Sequence, residues 1–543
     1  IKPALWIMKS EQGMDKLDAG YYFYDLNAKV SHTINDKNRL YASFYSGDDG
    51  IYIDVKDKYT NYEDGYQYNY EDISRVNMKW GNMLGVLRWN SVLSSKLFMN
   101  VTANYTRYRL TSGIGGENKK TSTDPEYKAQ NYRMDMSQNS GIDDFSARAE
   151  FDYSPHPNHD VKFGINPIMH TFRPMVLVEK EVNNAVQLDK TFGNDNISAF
   201  EYSVYAEDNF TLNNFTKINF GLHYSGFNVQ GRYYHSLQPR LSGRVLLNNA
   251  LSLKAGYAYM TQYIHLLSNN SISLPTDLWV PVTKRIPPMN SHQVSAGVFY
   301  NLKNIFDFSI EGYYKRMNNL IEYKDGATFF GIDTGWEDKV STGRGWSYGV
   351  EFLVQKTIGN TTGWIGYTWS KSERLFDRAG EMLNLGEVFP AKYDRRHDVN
   401  IVVSHKFSPK IDIAGTWIFS SGNAATLSLE NYTNPFNTRK YDNRANPYYQ
   451  DYDGSLSHVE KRNNYRLPAY HRLDLGINFH KKVKYGTRTW NISVYNAYNN
   501  MNPFFIMVGN NYDIFGNGDG KLSLLKVTLF TLMPSVSYTY KFE

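Results

Sequence analysis

The sequence predicts an all-β protein, a transmembrane antiparallel β-barrel, from three observations. Polar and apolar residues alternate along many segments of about ten residues, which is the length that a tilted strand needs to cross a bilayer. Aromatic residues make up 15% of the 543-residue chain while the mean hydropathy is only -0.54, and both suit strands that present every second residue to lipid. Short turns also alternate with long connections, which is typical of outer-membrane barrels.

The segment HRLDLGINF, residues 471–479, illustrates the alternation. Successive side chains of a strand point to opposite faces of the sheet. The polar face of this segment holds Arg472, Asp474 and Asn478, and the apolar face holds Leu473, Leu475, Ile477 and Phe479. We expect the apolar face to contact lipid, because the chain contains no further segment that would form a second apolar layer.

About nineteen segments of this kind follow one another along the chain. The clearest are YYFYDLNAKVSH (21–32), KLFMNVTANYT (96–106), DFSARAEFDY (144–153), FEYSVYAEDNF (200–210), KINFGLHY (217–224), FDFSIEGYYK (306–315) and SVSYTYKF (535–542).

The connections fall into two sets that alternate along the chain. The short, turn-like set lies at 35–38, 154–158, 213–216, 248–249, 357–360 and 408–410. The long set lies at roughly 47–76, 111–140, 172–197, 264–290, 322–343, 374–395 and 422–467. We expect the short turns on the periplasmic side and the long loops outside the cell.

Strand direction adds an expectation about the whole protein. The last strand and the first clear one both run toward the periplasm, and an odd number of strands does not close an antiparallel barrel. Three further strands before residue 20 give twenty-two, the number that is associated with plugged outer-membrane transporters. We therefore expect residues 1–19 to end an extracellular loop, residues 20–543 to form the barrel, and the three strands and a plug domain to belong to absent N-terminal sequence.

Composition excludes several classes of protein. No apolar run approaches the roughly 18 to 20 residues of a membrane helix. The chain has no Cys, which removes disulfide scaffolds and thiolate metal sites. A formal charge of +5 is too small and too dispersed to indicate nucleic-acid binding. The opening IKPALWIMKSEQG lacks the design of a signal peptide.

Three motifs suggest chemistry, and each has a simpler explanation. GWSYG (345–349) matches a nucleophile elbow but lies inside an alternating strand. NGDGK (517–521) lacks the spacing of a phosphate or calcium loop and suits a Gly-rich loop tip, with Asp513 and Asp519 as a weak Ca²⁺ alternative. His156 and His159 flank a short turn, where solvated side chains are commoner than metal ligands. We expect no enzyme activity, no metal site and no cofactor.

Four segments resemble the barrel signatures of TonB-dependent outer-membrane receptors of the Bacteroidota. They are PTDLWVPVTKRIPP (275–288), FPAKYDRRHDVNI (389–401), YRLPAYHRLDLGINF (465–479) and WNISVYNAYNNMNPFF (490–505). The most similar type carries a carboxypeptidase-regulatory-like domain and a plug before the barrel. The resemblance implies an outer membrane of a Gram-negative bacterium, a plug that the TonB complex displaces, and import of a nutrient. A surface lipoprotein partner, as in the starch-utilisation type, is possible but not implied.

The chain departs from that family in lacking a plug and a TonB-contacting segment and in ending on Glu543 after the last aromatic residue. Charges of both signs line the predicted inner face, and we expect them to contact the plug rather than only water. The candidates for plug contact are Arg148, Glu150, Arg240, Arg244, Glu311, Arg472 and Asp474.

Aromatic and polar residues in the predicted long loops suit the binding of sugars or peptides, because stacking and hydrogen bonding then come from one side chain. The candidates for ligand contact are Tyr66, Tyr68, Trp279, Arg285, Tyr441, Tyr448 and Tyr449. Tyr residues also fill girdles and loop cores, and Trp279 is as well suited to bracing its own loop.

Two functions from different classes remain. The favoured one is the barrel of a TonB-energised importer whose loops bind a glycan, a peptide or a metal chelate. The alternative is a passive porin or a surface ligand-binding scaffold without a plug. Both place the outer face of the barrel in membrane lipid, and a soluble Tyr-rich β-protein is a more distant possibility.

Overall fold

The structure is a computed structural model of the 543-residue chain. It describes residues 16–183, 186–193, 196–268, 278–327, 335–428, 430–433, 455–503, 505–512, 518–528 and 530–542. Within these ranges the chain is mostly strand, with two short 3₁₀ segments, Trp336–Lys339 and Asn384–Gly386. None of the helical segments in the described ranges has the length and hydrophobicity of a membrane-crossing helix.

The strands are numbered in chain order. They are β1 (Lys16–Asn35), β2 (Asn38–Glu63), β3 (Tyr66–Ser94), β4 (Leu97–Ser122), β5 (Gln130–His156), β6 (His159–Asn183), β7 (Val186–Gly193), β8 (Ile197–Thr211), β9 (Thr216–Val229), β10 (Arg232–Leu246), β11 (Leu251–Gln262), β12 (Ile264–Leu267), β13 (Leu278–Pro281), β14 (Met289–Leu302), β15 (Phe306–Tyr323), β16 (Val340–Lys356), β17 (Thr361–Leu375), β18 (Phe389–Pro390), β19 (His397–Ser408), β20 (Ile411–Ser420), β21 (Ala424–Ala425), β22 (Glu430–Thr433), β23 (Ser455–His458), β24 (Tyr465–Arg466), β25 (Tyr470–Val483), β26 (Gly486–Tyr495), β27 (Phe505–Tyr512), β28 (Gly518–Val527) and β29 (Met533–Phe542).

Nineteen long strands form one antiparallel sheet in which each pairs with the next along the chain. Their order is β1 to β6, β8 to β11, β14 to β17, β19, β20, β25, β26 and β29, and the short strands β7 and β18 pair with β6 and β17. The predicted all-β fold and the count of nineteen segments are confirmed. In the described part of the chain, β1 pairs only with β2 and β29 only with β26.

Connections on the two sides of the sheet differ in length as the sequence predicts, except at two two-residue turns, Asp64–Gly65 between β2 and β3 and Gln230–Gly231 between β9 and β10. The short turn after β1, between Asn35 and Asn38, is typical of the connections on one side of the sheet. On the other side β9 and β10 are joined by Gln230 and Gly231 alone, whose φ angles of 50° and 74° make a tight hairpin turn. The prediction of strict short and long alternation is therefore wrong at these two turns, because a Gly with positive φ permits a two-residue turn.

Two of the predicted long loops are continuous strands. Pairing of β2 with β3 runs from Asn38 and Ser91 to Glu63 and Tyr66, across the range 47–76. Pairing of β4 with β5 likewise includes much of the range 111–140. The backbone groups of these stretches bond to each other instead of to water, so the hairpins extend far beyond the length needed to span a bilayer. At the chain start, residues 16–19 belong to β1, and residues 1–15 lie outside the described ranges.

The two faces of the sheet differ in chemistry. On the outer face, Val30, Leu87 and Met169 are 64–67% exposed without polar neighbours in register. On the inner face, polar side chains bond across strands: Asn219 donates to Asn209 at 2.7 Å, and equivalent amide and carboxylate pairs recur along the sheet. The outer face is therefore suited to lipid and the inner face to water or protein.

Candidate functional site

A hairpin from the connection between β11 and β14 packs against the inner face of the sheet. In it β12 pairs with β13, with His265 opposite Val280 and Leu266 opposite Trp279. Its apolar side chains join one buried cluster with residues of four strands that are far apart in the sheet. The cluster contains Met78, Leu110, Leu267, Leu278, Val280, Ile286, Ile321, Tyr323, Trp336 and Val340. Because β3 and β4 meet the same hairpin as β15 and β16, the sheet curves around it.

Two further buried clusters extend this packing. The first joins Phe172, Ile197, Ala199, Phe227 and Val229 of the wall to Tyr263 and Val282 at the base of the hairpin. The second consists of Leu320, Phe376, Leu383 and Phe389. We call residues 263–268, 278–288, 335–340 and 376–391 together the loop layer. It occupies the extracellular end of the space inside the curved sheet, which we call the lumen.

Hydrogen bonds fix the hairpin within the loop layer. The Tyr234 hydroxyl on β10 donates to the Thr283 carbonyl at 2.8 Å. The Thr283 hydroxyl accepts from the backbone N–H of Ile286 at 3.1 Å, so it closes the turn after β13. The buried His265 ring lies with Nε2 3.1 Å from the Pro287 carbonyl. Burial lowers the pKa of His265 to about 4, which keeps the imidazole neutral at physiological pH.

The segments that carry the family resemblance contact one another through buried charges. Asp394 is buried and pairs with Arg466, and its carboxylate also accepts the Ser372 N–H at 2.6 Å. Asp394 belongs to the segment 389–401 and Arg466 to the segment 465–479. The ion pair therefore joins two loops that are 72 residues apart in sequence.

The segments 465–479 and 490–505 are joined in the same way. The Asp474 carboxylate accepts the Asn496 N–H at 2.9 Å, and the Asn502 side-chain oxygen accepts the His471 N–H at 2.9 Å. At Gly422 the backbone passes so close to Leu467 that an added Cβ would lie 1.6 Å from the Leu467 carbonyl oxygen. The signature residues thus act here as braces between loops.

A third buried charged group supports the loop layer from the wall. Glu322, at the end of β15, pairs with Arg374 of β17, and the Arg462 guanidinium lies 3.7 Å away. Arg462 also donates to the Tyr323 carbonyl at 2.7 Å, and its Nη1 lies 3.2 Å from Asp325 as an ion pair. These contacts connect the long loop after β20 to the strands on which the hairpin rests.

A cavity of about 870 Å³ lies between the loop layer and the inner face of β2 to β8. Its size suits a small ligand or part of a larger one. Aromatic, amide and charged side chains converge on it, from both the wall and the hairpin. They include Tyr45, Asn82, Tyr108, Asp144, His170, Glu201, Gln262, Tyr263 and Trp279.

His170 is the centre of the polar side of this cavity. Its Nδ1 lies 2.7 Å from Asp144 and its Nε2 3.4 Å from Glu201, and its ring stacks on Phe172 at 5.3 Å between centroids. An imidazole held between two carboxylates fixes their positions, and these three groups together carry net negative charge whether the ring is protonated or neutral. No cluster of three metal-ligating side chains with suitable geometry occurs in the described ranges.

The structure brings two of the predicted ligand-contact residues near this region. Trp279 lies on β13, is 37% exposed and lines the cavity. Arg285 lies in the loop layer and donates to Asp338 at 2.5 Å, and this hydrogen bond raises its pKa. Tyr66 and Tyr68 lie on the outer part of β3, roughly 33 Å along the strand from Met78 in the case of Tyr68. Tyr441, Tyr448 and Tyr449 lie outside the described residues.

Sequence reasoning missed Asp144, His170 and Glu201 as a group. The alternation placed Asp144 and Glu201 on polar faces, but only the register between β5, β6 and β8 shows that they meet one histidine. The predicted plug contacts lie on the inner face. Arg148 is 3.5 Å from Glu150, and Arg472 donates to Asp474 at 2.9 Å, while Arg244 and Glu311 line one cavity with Lys254. Whether they contact a plug stays a prediction.

The described residues of the three motifs that suggested chemistry lie in strands or in a turn between strands. Ser347 of GWSYG lies within β16, paired with Ser372 of β17, and not on a strand-to-helix turn. His159 bonds to Asp208 with Nδ1 and Oδ2 2.6 Å apart, and His156 accepts the Asn158 N–H in the turn. Residues 518–521 of NGDGK belong to β28, while Asp513 and Asn517 lie outside the described residues.

A curved antiparallel sheet of nineteen long strands, with an apolar outer face, a polar inner face and loops packed across one end, defines an outer-membrane β-barrel receptor. The family model described as TonB dependent receptor-like, beta-barrel matches residues 9–499. The chain belongs to this family, whose members reside in the outer membrane of Gram-negative bacteria and act in TonB-type uptake rather than as enzymes. No characterised protein sequence matches the chain significantly.

Solved structures with the same fold are distant in sequence. The closed form of the ferric-catecholate import receptor Fiu from E. coli K12 gives a TM-score of 0.52 at 10% identity, covering 97% of this chain and 81% of that chain. The siderophore receptor PiuA from Acinetobacter baumannii gives 0.53 at 9% identity, with 97% and 81% covered. The FpvA receptor from Pseudomonas aeruginosa gives 0.53 at 10% identity, with 96% and 70% covered. These matches show the fold.

Proposed function

We propose that this chain is the barrel of a TonB-energised importer that captures a scarce nutrient at the cell surface and passes it through the lumen. The loop layer is the observation that supports this most strongly. A passive porin needs an open water path, whereas three buried apolar clusters lie across the extracellular end of this lumen. Loops packed into the lumen in this way narrow the path, which favours a transporter with an opening step over a passive porin.

The proposed ligand site includes the cavity beneath the loop layer and the loops above it. Trp279 and Tyr108 provide aromatic surface there, and Asp144 and Glu201 provide hydrogen-bond acceptors. Such a lining suits a polar molecule with hydroxyl or amine donors, such as a glycan or a peptide. The solved neighbours are receptors for iron chelates, so a metal chelate is a third class of ligand.

We further propose that a plug domain and three additional strands complete the machinery. In a sheet of nineteen strands whose directions alternate, the first and the last, β1 and β29, run in the same direction. They therefore do not meet as an antiparallel pair. A plug in the lumen would meet mixed charges such as Arg148, Glu150 and Arg244, and would carry the contact with the TonB complex. The four signature segments favour the Bacteroidota type, and a surface lipoprotein partner remains part of this proposal.

Uptake by cells tests the proposal. Cells that carry the full-length protein are incubated with mixtures of glycans, peptides or ferric chelates. The compound that disappears from the medium is identified with and without a protonophore. The proposal expects one class to be depleted only while the inner membrane is energised. Uptake that continues after protonophore treatment, together with steady ion conductance of the intact protein in a planar bilayer, would establish the porin alternative.

Two substitutions test whether the ligand binds in the cavity. Trp279→Ala removes aromatic surface from the cavity, whereas Trp490→Ala removes a similarly exposed Trp from the outer face. We expect the first to weaken ligand binding by about tenfold, since stacking contributes about 1 to 2 kcal/mol, and the second to leave it unchanged. Equal affinities for the two variants would place the ligand elsewhere.

A further inference from the structure

We infer that the cavity beneath the loop layer selects a ligand that carries a positively charged amine. The inference rests on the proposed function, because it takes this cavity as the ligand site, and it narrows the ligand to one chemistry. Three features of the described residues support it. Unused carboxylate oxygens line the cavity, the surrounding lumenal face is acidic, and aromatic rings stand beside the carboxylates.

Asp144 and Glu201 present unused hydrogen-bond acceptors to the cavity. Each carboxylate has one oxygen near His170, at 2.7 Å from Nδ1 for Asp144 and 3.4 Å from Nε2 for Glu201. In the part of the chain that the structure describes, the second oxygen of each group has no hydrogen-bond partner. The two side chains are 26% and 23% exposed and both line the cavity, so a molecule in the cavity can reach them.

His170 positions the two carboxylates without using up their capacity to accept hydrogen bonds. Its side chain is only 3% exposed, yet its Nε2 makes no hydrogen bond of good geometry with any described residue. Glu201 is therefore held by charge rather than by a directed bond. A donor group of a ligand can bond to Glu201 without first breaking a hydrogen bond within the protein.

The lumenal face around the cavity is acidic beyond these two groups. The Asp25 carboxylate on β1 accepts the hydroxyl of Tyr45, which lines the cavity, at 2.7 Å. The Asp49 carboxylate on β2 accepts the hydroxyl of Tyr21. Strand alternation directs every second residue toward the lumen. The lumenal positions at this level contain four carboxylates and neither Lys nor Arg, counted within residues 21–27, 45–51, 78–84, 106–112, 138–144, 168–172 and 197–203.

Arg107 also borders the cavity, but its row of side chains belongs to the other face of β4. Its neighbours in that row, Tyr105 and Arg109, both bond to Asp143. Asp143 precedes the lumenal Asp144 on β5, so the two side chains point to opposite faces of the sheet. The Arg107 guanidinium therefore lies across the wall from the lumenal carboxylates and does not replace a cation in the cavity.

An ammonium group satisfies this lining better than other ligand groups do. It supplies three donors together with the positive charge that the carboxylates lack. Trp279 and Tyr108 line the same cavity, and aromatic faces attract such a cation further. A neutral sugar supplies donors but leaves the negative charge uncompensated, and a ligand with its own carboxylates or phosphates is repelled.

Binding of matched probes to the full-length protein in a non-ionic detergent tests the inference by titration calorimetry. One pair is amidated trilysine and the same peptide with every amine acetylated. The other pair is the glucosamine trimer and the N-acetylglucosamine trimer. Acetylation removes the charge and keeps the rest of the molecule, and the two pairs distinguish a peptide amine from an amino sugar.

The variants Glu201→Gln and Asp144→Asn remove one charge each and keep the shape of the side chain. The matched control is Glu351→Gln, because Glu351 lies on the lumenal face of β16, opposite Glu311 and Thr368, and does not line the cavity. Heat-modifiable gel migration, unchanged in all variants, shows that each barrel is folded.

We expect at least one ammonium probe to bind about tenfold more tightly than its acetylated counterpart, because hydrogen bonds to an ionised group are roughly twice as strong as neutral ones. Glu201→Gln and Asp144→Asn should each reduce this ratio toward one, and Glu351→Gln should leave it unchanged. A purely structural role would weaken charged and acetylated probes alike. Equal affinities within both pairs, an equal effect of Glu351→Gln, or no binding of either ammonium probe would overturn the inference.

The outcomes separate this inference from the proposed function. Energised uptake of a compound without an amine would overturn the inference and leave the importer in place. Selective binding of ammonium probes by a protein whose uptake continues without energy would support the inference and overturn the importer.

Discussion

At the scale of single residues, the buried charged and titratable side chains of the loops matter most. Burying a charged or polar group is costly unless it has partners, and here the partners come from distant loops. Asp394 with Arg466, and Asp474 with Asn496, are examples. These residues lie in the signature segments of the sequence. Their pairing depends on long-range contacts, which the alternation of polar and apolar residues does not encode.

His265 should make the hairpin sensitive to acid. Its pKa is about 4 in the folded protein and about 6.5 when exposed, so only the neutral ring is compatible with the packed loop layer. The stabilisation is complete above pH 6.5 and decreases as the pH falls toward 4, with a loss of about 2 kcal/mol at pH 5. Protease accessibility of residues 264–281 should rise between pH 7 and pH 5. The His265→Leu variant should lose this pH dependence, and an unchanged profile would show that His265 does not control the hairpin.

Asp394→Asn should loosen the contact between the loops at 391–397 and 464–468. The substitution leaves Arg466, whose side chain is 38% exposed, without its carboxylate partner, and loss of a hydrogen bond to a charged group costs about 1.5 to 3 kcal/mol. Hydrogen exchange in the two loops should accelerate by at least tenfold. Asp377→Asn, which removes only an exposed pair with Arg344, is the control and should have little effect. Similar exchange in both variants would contradict the bracing role.

At the scale of elements, the sequence predicted the strands well and the loops poorly. Period-two alternation identifies each strand, because one face must be apolar and the other polar all along it. The sequence predicts a long loop at residues 47–76, whereas β2 and β3 continue through this range as a paired hairpin. The inward hairpin formed by β12 and β13 has no comparable pattern, since its apolar residues are indistinguishable from those of any short strand.

Gly422→Ala should separate two loops of the extracellular side. The added Cβ would meet the Leu467 carbonyl, which is backbone and cannot rotate away. Overpacking of this kind costs about 2 kcal/mol or more, so limited proteolysis near residue 467 should increase at least tenfold. Gly85→Ala, where an added Cβ meets nothing, is the control. Equal protease resistance of both variants would show that the backbone at Gly422 is free to shift.

At the scale of the whole molecule, the hairpin should act as a barrier. Tyr263 and Val282 are hydrogen-bonded at 2.9 Å, so residues 264–281 can be replaced by a short Gly linker without disturbing the wall. This deletion should raise the ion conductance of the full-length protein in planar bilayers at least several-fold. Replacement of the exposed turn 230–231 by two Gly residues is the control. A deletion without effect would mean that another element closes the lumen.

The architecture as a whole was largely predictable from the sequence, and the functional site was not. Alternation in Leu473 to Phe479 distinguishes the lipid face from the lumenal face on any single strand. The cavity between Trp279 and His170 exists only because the sheet curves and a loop folds inward, and both depend on contacts between residues more than a hundred positions apart. The polar and apolar pattern of a single strand does not reveal such long-range contacts.

Site-directed spin labelling tests the central claim that one face of every long strand meets lipid and the other lines the lumen. The chain has no Cys, so single labels at positions 474, 475, 478 and 479 report without background. In lipid vesicles, labels at Leu475 and Phe479 should be more accessible to oxygen, which partitions into lipid, than to a water-soluble nickel complex. Labels at Asp474 and Asn478 should show the reverse preference. The same preference at all four positions, or an inverted one, would contradict the account.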